Sequence, residues 1–137
     1  MKKLLIGLLV LSAHLTTVAQ TFSVRCKFSD GQVTDFEKGT PHTVRKSDMS
    51  DLVFDQIDTK KNSARLIGNV GVETVKVIDG TNVIHLIEIT GSGNMNLTTL
   101  YVTNKSAATF PVAHSRHVTS ATSALPSQYV GLCTRLL

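Results

Sequence analysis

Apolar and polar residues alternate with a period of two along most of this chain, and no helical period persists. Residues 21–28 set the pattern, with Phe22, Val24, Cys26 and Phe28 on one face. Such alternation is typical of β-strands that bury one face. Further strands are predicted at residues 32–37, 42–46, 52–57, 63–68, 72–78, 82–90, 95–103, 110–119 and 129–136.

Short turn sequences separate most of these segments, which predicts hairpin connections. Ser29-Asp30-Gly31 is predicted to be a turn, and Asp79-Gly80 a type I′ hairpin turn, in which both central residues have φ > 0. Residues 119–127 are rich in Ser, Thr and Ala and contain Pro126, so they are predicted to be the one long loop.

The whole pattern predicts an all-β fold, a single antiparallel meander of about eight to ten strands. An open meander exposes two edges, and closure into a barrel removes both. We therefore predict a small closed barrel, with a flattened β-sandwich as the alternative. A barrel of about eight strands encloses a filled core or one small ligand site.

The first residues have the composition of a secretory signal peptide. Lys2 and Lys3 precede the apolar run Leu4–Leu11, and Ala19 ends a stretch of small residues. The run gives about 12 Å of helix against a hydrocarbon core of ~30 Å, too short to span a membrane. We predict a signal peptide at residues 1–19, a single β-barrel-like domain at 20–137, and a periplasmic or secreted product without a membrane span.

Charge and cysteine content narrow the possible partners and the redox state. The formal net charge is +4, but two of these charges, Lys2 and Lys3, belong to the predicted signal peptide. No basic cluster with interleaved aromatic residues remains, so nucleic acid is not an expected partner. Cys26 and Cys133 are the two cysteines, and an even number in an exported chain predicts a disulfide that joins the first and last strands.

The densest polar cluster is His114-Ser115-Arg116-His117. Alternation places His114 and Arg116 on the more apolar face of their strand, and Glu88 interrupts another apolar face. A buried Arg requires a partner, so we expect an Arg116–Glu88 ion pair with His114 hydrogen-bonded beside it. The alternative is that Glu88, His114 and Arg116 bind a ligand, with the cation facing a carboxylate, a phosphate or a sugar oxygen.

Neither a metal site nor a catalytic signature is predicted. His114 and His117 face opposite ways in a strand, His85 lies on the opposite face from Glu88, and no H-x-H or C-x-x-C spacing occurs. The chain also lacks a G-x-S-x-G elbow. We therefore expect no metal, no cofactor and no catalytic residue.

Two resemblances extend these expectations. Residues 64–69, 93–99, 114–117 and 126–133 resemble a group of small uncharacterised exported bacterial β-proteins, which implies an exported β-domain but no particular activity. Val24-Arg25-Cys26 with Asp30-Gly31 resembles the opening of periplasmic lysozyme inhibitors of the small β-barrel type, although the later tryptophan of those inhibitors has no counterpart here.

These observations predict a non-enzymatic, monomeric binding module for a small ligand or a protein partner. One alternative is an inhibitor of a secreted hydrolase, which would act through loops. The other is an enzyme that uses Glu88, His114 and Arg116. The binding module and the enzyme are distinguished by whether these side chains line an open pocket or a sealed core.

Overall fold

A computed structural model describes residues 21–37, 40–119 and 123–137. The predicted signal peptide, residues 1–19, lies outside the described residues. The described strands are β1 (Phe22–Glu37), β2 (Thr40–Lys46), β3 (Leu52–Asp58), β4 (Ser63–Gly68), β5 (Gly71–Asp79), β6 (Val83–Ile89), β7 (Met95–Tyr101), β8 (Thr109–Thr119) and β9 (Ala124–Leu136). Within these ranges there is no helix long and apolar enough to cross a membrane.

All strand pairs are antiparallel, and they form one sheet. Neighbours follow the order β2-β1-β3-β4-β5-β6-β7-β8-β9, and β1 also pairs with β9. The β1–β9 ladder closes β1 and β3–β9 into an eight-stranded barrel, while β2 pairs with the second half of β1 beyond the β3 pairing. The prediction of a closed meander is confirmed, and the architecture is a barrel rather than a flattened sandwich.

The disulfide lies on the ladder that closes the barrel. Cys26 of β1 is directly opposite Cys133 of β9, and the two sulfurs are bonded. Both cysteines are fully buried, with Phe110 of β8 opposite Cys133 on its other side. The predicted bridge between the first and last strands is therefore confirmed, and it covalently fixes barrel closure.

The predicted turn at Ser29-Asp30-Gly31 is wrong, because β1 continues through it as a single strand. The chain accommodates the extra residue as a β-bulge, where the β1–β9 register shifts between Phe28 and Asp30. Gly31 is required just after the bulge, since a Cβ atom there would collide with the ring of Tyr129 and the carbonyl of Ser47. Bulges and turns favour similar residues, which explains the misassignment.

Two other predicted connections also differ from the structure. The long loop expected at 119–127 is wrong, because β9 begins at Ala124 and pairs with β8 as far as Thr119. A hairpin does join β5 to β6, but Gly80 does not have positive φ, so the turn is not type I′. Instead the Gly80 N–H donates to the carbonyl of Val83 at 2.9 Å, which gives a longer connection.

Apolar side chains fill the middle of the barrel. The buried cluster comprises Val24, Cys26, Phe54, Ile57, Ala64, Leu66, Val75, Val77, Ile84, Leu86, Leu100, Val102, Phe110, Val112 and Cys133. Except for Val102, which directly follows β7, these residues come from the inward faces of the eight barrel strands, as the period-two pattern requires. Two cavities lie at the ends of the barrel, one at each end, rather than along its axis.

Candidate binding site at the polar mouth

Polar side chains cross one end of the barrel in two transverse rows, which we call the polar mouth. Antiparallel pairing places directly opposed residues on the same face of the sheet, so the register defines each row. The outer row is Glu88 (β6), Asn96 (β7), Arg116 (β8) and Ser127 (β9), and the inner row is Leu86, Thr98, His114 and Tyr129 on the same strands.

A cavity of about 390 Å³ occupies this mouth. It is lined by Asp48, Met49, Ser50, Leu52, Leu66, Glu88, Asn96, His114 and Arg116. Its volume falls within the range of about 300–1,000 Å³ that is usual for small-molecule sites. Glu88, His114 and Arg116, the three side chains singled out in the sequence, therefore line one common cavity, which we call the mouth cavity.

The segment between β2 and β3, residues 47–51, supplies one side of the mouth cavity. The Ser47 N–H donates to the carbonyl of Gly31 at 3.0 Å, and the Ser47 hydroxyl lies 3.1 Å from that of Tyr129. These bonds hold the start of the segment against the barrel and bring Asp48, Met49 and Ser50 to the cavity. The segment has no strong pattern, so the sequence did not identify these residues.

The expected Arg116–Glu88 ion pair is wrong: no such pair forms within the described ranges, where Lys61–Asp58 and Arg65–Asp55 are the pairs formed. Instead the Nδ2 of Asn96 donates to Oε2 of Glu88 at 2.6 Å. Strand β7 separates β6 from β8, so the Cα atoms of Glu88 and Arg116 are two strand spacings, roughly 10 Å, apart. Asn96 occupies the position between them.

The amide of Asn96 is oriented by this bond. Rotating the amide by 180° would turn its oxygen toward the carboxylate of Glu88 and remove the hydrogen bond. With Nδ2 on the carboxylate, Oδ1 is buried and accepts no hydrogen bond from the described part of the chain. A buried acceptor without a donor costs about 1–3 kcal/mol, so this atom marks a place where a donor is missing.

His114 lies beneath the outer row and is only 3 % exposed. One of its ring nitrogens, Nδ1, is 2.7 Å from the hydroxyl of Thr98, and its ring packs near those of Phe28 and Tyr129, with centroids 5.8 and 6.3 Å away. Burial, and to a smaller extent the charge of Arg116, lowers the pKa of His114 from 6.5 to about 4. The ring is therefore uncharged at neutral pH.

Arg116 is the cationic group of the mouth cavity, and it is partly buried. It also acts on Tyr129: burial opposes ionisation of that phenol, but hydrogen bonds with Ser47 and Ser127, together with the charge and a hydrogen bond of Arg116, outweigh burial and lower the pKa of Tyr129. Among the described residues no carboxylate lies within ion-pairing distance of Arg116. The guanidinium therefore lines the cavity without a counter-ion.

The opposite end of the barrel also has a cavity and an arginine, but there aromatic rings and backbone carbonyls of the protein engage the guanidinium. This cavity measures about 440 Å³ and is lined in part by Phe22, Lys105 and Arg135. The guanidinium carbon of Arg135 lies 4.2 Å from the ring centroid of Phe22, and Nη2 donates to the carbonyl of Lys105 at 2.9 Å. Nε donates to the carbonyl of Ala107 at 3.2 Å, so little of this guanidinium is left for a ligand.

The histidines do not form a metal site in the part of the chain that the structure describes. There, no group of three or more His, Cys, Asp and Glu side chains could hold an ion. His85 points outward, with Nδ1 3.0 Å from the hydroxyl of Thr99, and His117 is exposed.

Asn96 is the most important site residue that sequence reasoning missed. The signal lay in the β6–β7 hairpin: once Ile89 pairs with Met95 around the turn at 90–94, Glu88 must oppose Asn96. The neighbouring Thr98 follows from the same register, since it shares the inward face. Predicting such a pairing requires the length of the turn, which residue composition alone does not determine.

Comparison with known proteins does not assign the chain to a family. No protein-family model matches the chain, and neither a curated protein nor a solved structure is significantly similar to it. The two resemblances noted in the sequence thus remain predictions, and the functional conclusion depends on the site itself.

Proposed function

We propose that the mature chain is a non-enzymatic binding module whose mouth cavity takes up a small ligand through an anionic group. The observation that carries this proposal is Arg116, which lines the cavity and has no ion-pair partner among the described residues. The nearest candidate partner by register, Glu88, is hydrogen-bonded to Asn96 instead.

The chemistry of the cavity favours a carboxylate as that anion. A guanidinium presents two parallel N–H groups that match the two oxygens of a carboxylate or phosphate. Glu88 and Asp48 also line the cavity, so a doubly charged phosphate would be repelled by two carboxylates of the same cavity. A single negative charge on a small organic acid fits this balance better.

His114 supports a binding role rather than a catalytic one. A general acid or base works best when its pKa is near the working pH, whereas burial lowers the pKa of His114 to about 4. One ring nitrogen is already engaged with the hydroxyl of Thr98. We therefore assign the ring to the floor of the cavity, as a neutral hydrogen-bonding group.

We further propose that the module acts as a monomer in the periplasm or outside the cell. The Cys26–Cys133 disulfide is compatible with that location, since such bonds persist in oxidising compartments. A cavity formed entirely by one chain needs no second subunit to complete it.

An NMR titration tests this proposal directly. ¹⁵N-labelled protein is titrated with acetate, butyrate and hexanoate, and in parallel with the uncharged amides of the same acids. At least one carboxylate should give saturable shifts at Asn96, His114 and Ser50, and its amide should not. Arg116→Met should weaken that binding at least tenfold, because the cation is removed.

Arg25→Met is the matched control, since Arg25 is an exposed arginine of β1 outside the mouth cavity. It should bind the carboxylate as the unmodified protein does. Two results would overturn the proposal: no saturable shift at the mouth with any of the acids, or a shift that survives unchanged in Arg116→Met.

A further inference from the structure

We infer that the ligand of the mouth cavity is a short zwitterion, an amino acid-like molecule that carries an ammonium group as well as the carboxylate. This inference rests on the proposed function and names the ligand class for the same site. The outer row carries it, because Glu88, Asn96 and Arg116 lie side by side on three adjacent strands and all line the cavity.

The first observation is that two opposite charges line one cavity without neutralising each other. In the described ranges Glu88 has no cation within ion-pairing distance, and Arg116 has no carboxylate. Their Cα atoms are two strand spacings, roughly 10 Å, apart, with Asn96 between them. A ligand with opposite charges at its two ends can pair with both groups at once.

The second observation is the set of acceptors at the Glu88 end. Oε2 of Glu88 accepts from Nδ2 of Asn96, which leaves Oε1 with no hydrogen bond from the described chain. Oδ1 of Asn96 is buried and likewise has no donor. An ammonium group has three N–H donors and no acceptor, so it can donate to Oε1 of Glu88. A shift of the Asn96 side chain, whose Oδ1 is covered in this structure, would bring that oxygen within reach of a second N–H.

An ammonium group also compensates the negative charge of Glu88, whereas a hydroxyl group does not. A hydroxyl could donate one hydrogen bond here but would leave the carboxylate of Glu88 uncompensated in a partly buried site. Asp48, exposed on segment 47–51, adds a second negative charge at the rim. His114, below the row, is uncharged at neutral pH and does not offset either carboxylate.

The neighbouring charges assign the two ends of the ligand. The carboxylate of the ligand pairs with Arg116, near the hydroxyls of Ser127 and Tyr129, whose strand lies on the side of β8 away from Glu88. The ammonium lies between Glu88 and Asn96. This orientation places each ligand charge beside the protein charge of opposite sign.

The test compares three matched probes at each chain length. Glycine, β-alanine, 4-aminobutyrate and 5-aminovalerate are titrated against the carboxylates and the primary amines with the same number of carbons, by NMR at low salt and pH 7. At the best length the zwitterion should bind at least tenfold more tightly than the carboxylate, and the amine should bind more weakly than both.

Two variants locate the source of that preference. Glu88→Gln and Asn96→Leu should each reduce the advantage of the zwitterion to less than threefold, while the carboxylate binds as tightly as before or more tightly. Asp79→Asn is the control, because Asp79 lines the cavity at the opposite end of the barrel, and it should leave the full preference intact.

The outcomes separate this inference from the proposed function. If a carboxylate binds in an Arg116-dependent way but the zwitterion has no advantage at any length, the proposed function stands and the zwitterion inference is wrong. A preference that persists in both Glu88→Gln and Asn96→Leu would also overturn the inference. Absence of binding by every probe would overturn both.

Discussion

The barrel has an arginine at each end, and the two guanidinium groups have different partners. Arg135 lies over the rings of Phe22 and Phe110, 4.2 and 5.0 Å from their centroids, and donates to two backbone carbonyls. Arg116 lines a cavity at the other end and has no counter-ion in the described ranges. Both side chains point inward from adjacent strands of the same barrel.

The difference shows that partners, rather than residue type or burial, distinguish a charge that stabilises the fold from one that is available to a ligand. The protein satisfies the Arg135 guanidinium with its own aromatic rings and carbonyls, so the group stabilises the fold. The mouth leaves a cation, a carboxylate and an amide oxygen incompletely paired around one cavity. Such incomplete pairing reduces stability and is characteristic of binding sites.

The largest effect is expected at the disulfide, which lies in the Arg135 half of the barrel. Cys133 is two residues from Arg135, and the bond joins two cysteines that are 107 positions apart in the sequence. Cys26→Ala combined with Cys133→Ala should lower the free energy of unfolding by about 4 kcal/mol, chiefly through the entropy of the unfolded chain. Urea unfolding measures it, and a loss below about 1 kcal/mol would contradict a stabilising role.

The next effect is a pH dependence that arises in the polar mouth. The pKa of His114 is about 4 in the folded protein against 6.5 as the usual value, so only the unfolded chain binds this proton between those limits. Stability should therefore be lost as the pH falls through that window, by about 3 kcal/mol at pH 4.

Comparison with His114→Gln isolates this contribution, because all other titrating groups are shared. Between pH 7.5 and 4 the unmodified protein should lose about 3 kcal/mol more than the variant. The exposed His117 provides the control: His117→Gln should follow the unmodified protein. Parallel curves for the unmodified protein and His114→Gln would show that His114 is not held in its neutral form by the fold.

The third effect concerns Arg135 itself. Arg135→Met keeps most of the apolar stem but removes the charge, both hydrogen bonds to carbonyls and the contacts with the aromatic rings. The variant should lose about 2 kcal/mol of stability, since such charged hydrogen bonds and cation–π contacts each contribute on that order. Binding at the mouth should be unchanged. A stable Arg135→Met protein would remove the contrast between the two ends.

Much of the fold could be predicted from sequence, because a period of two and two cysteines near the ends of the predicted domain constrain a closed meander strongly. The boundaries of β3–β8 follow the alternation within one or two residues. The bulge after Phe28 and the early start of β9 could not be predicted, because the signals for a turn and for a bulge overlap, and because Pro126 and the Ser, Thr and Ala residues before it are typical of a loop.

The candidate site could be predicted only in part. Alternation alone pointed His114, Arg116 and Glu88 inward, and all three line the mouth cavity. Which of them touch depends on strand order and register, and β7 lies between the charges. Asn96 therefore takes the place of Arg116 as the partner of Glu88, and composition and periodicity cannot predict this exchange.

The most direct test of the proposed binding role of Arg116 is the free energy of unfolding of Arg116→Met, measured by urea denaturation beside that of Arg135→Met. Because the Arg116 guanidinium lacks an ion-pair partner in the described structure, its removal should leave stability within about 0.5 kcal/mol of the unmodified protein, or raise it. A loss of about 2 kcal/mol or more, as large as that expected for Arg135→Met, would contradict the binding role and show that Arg116 stabilises the fold.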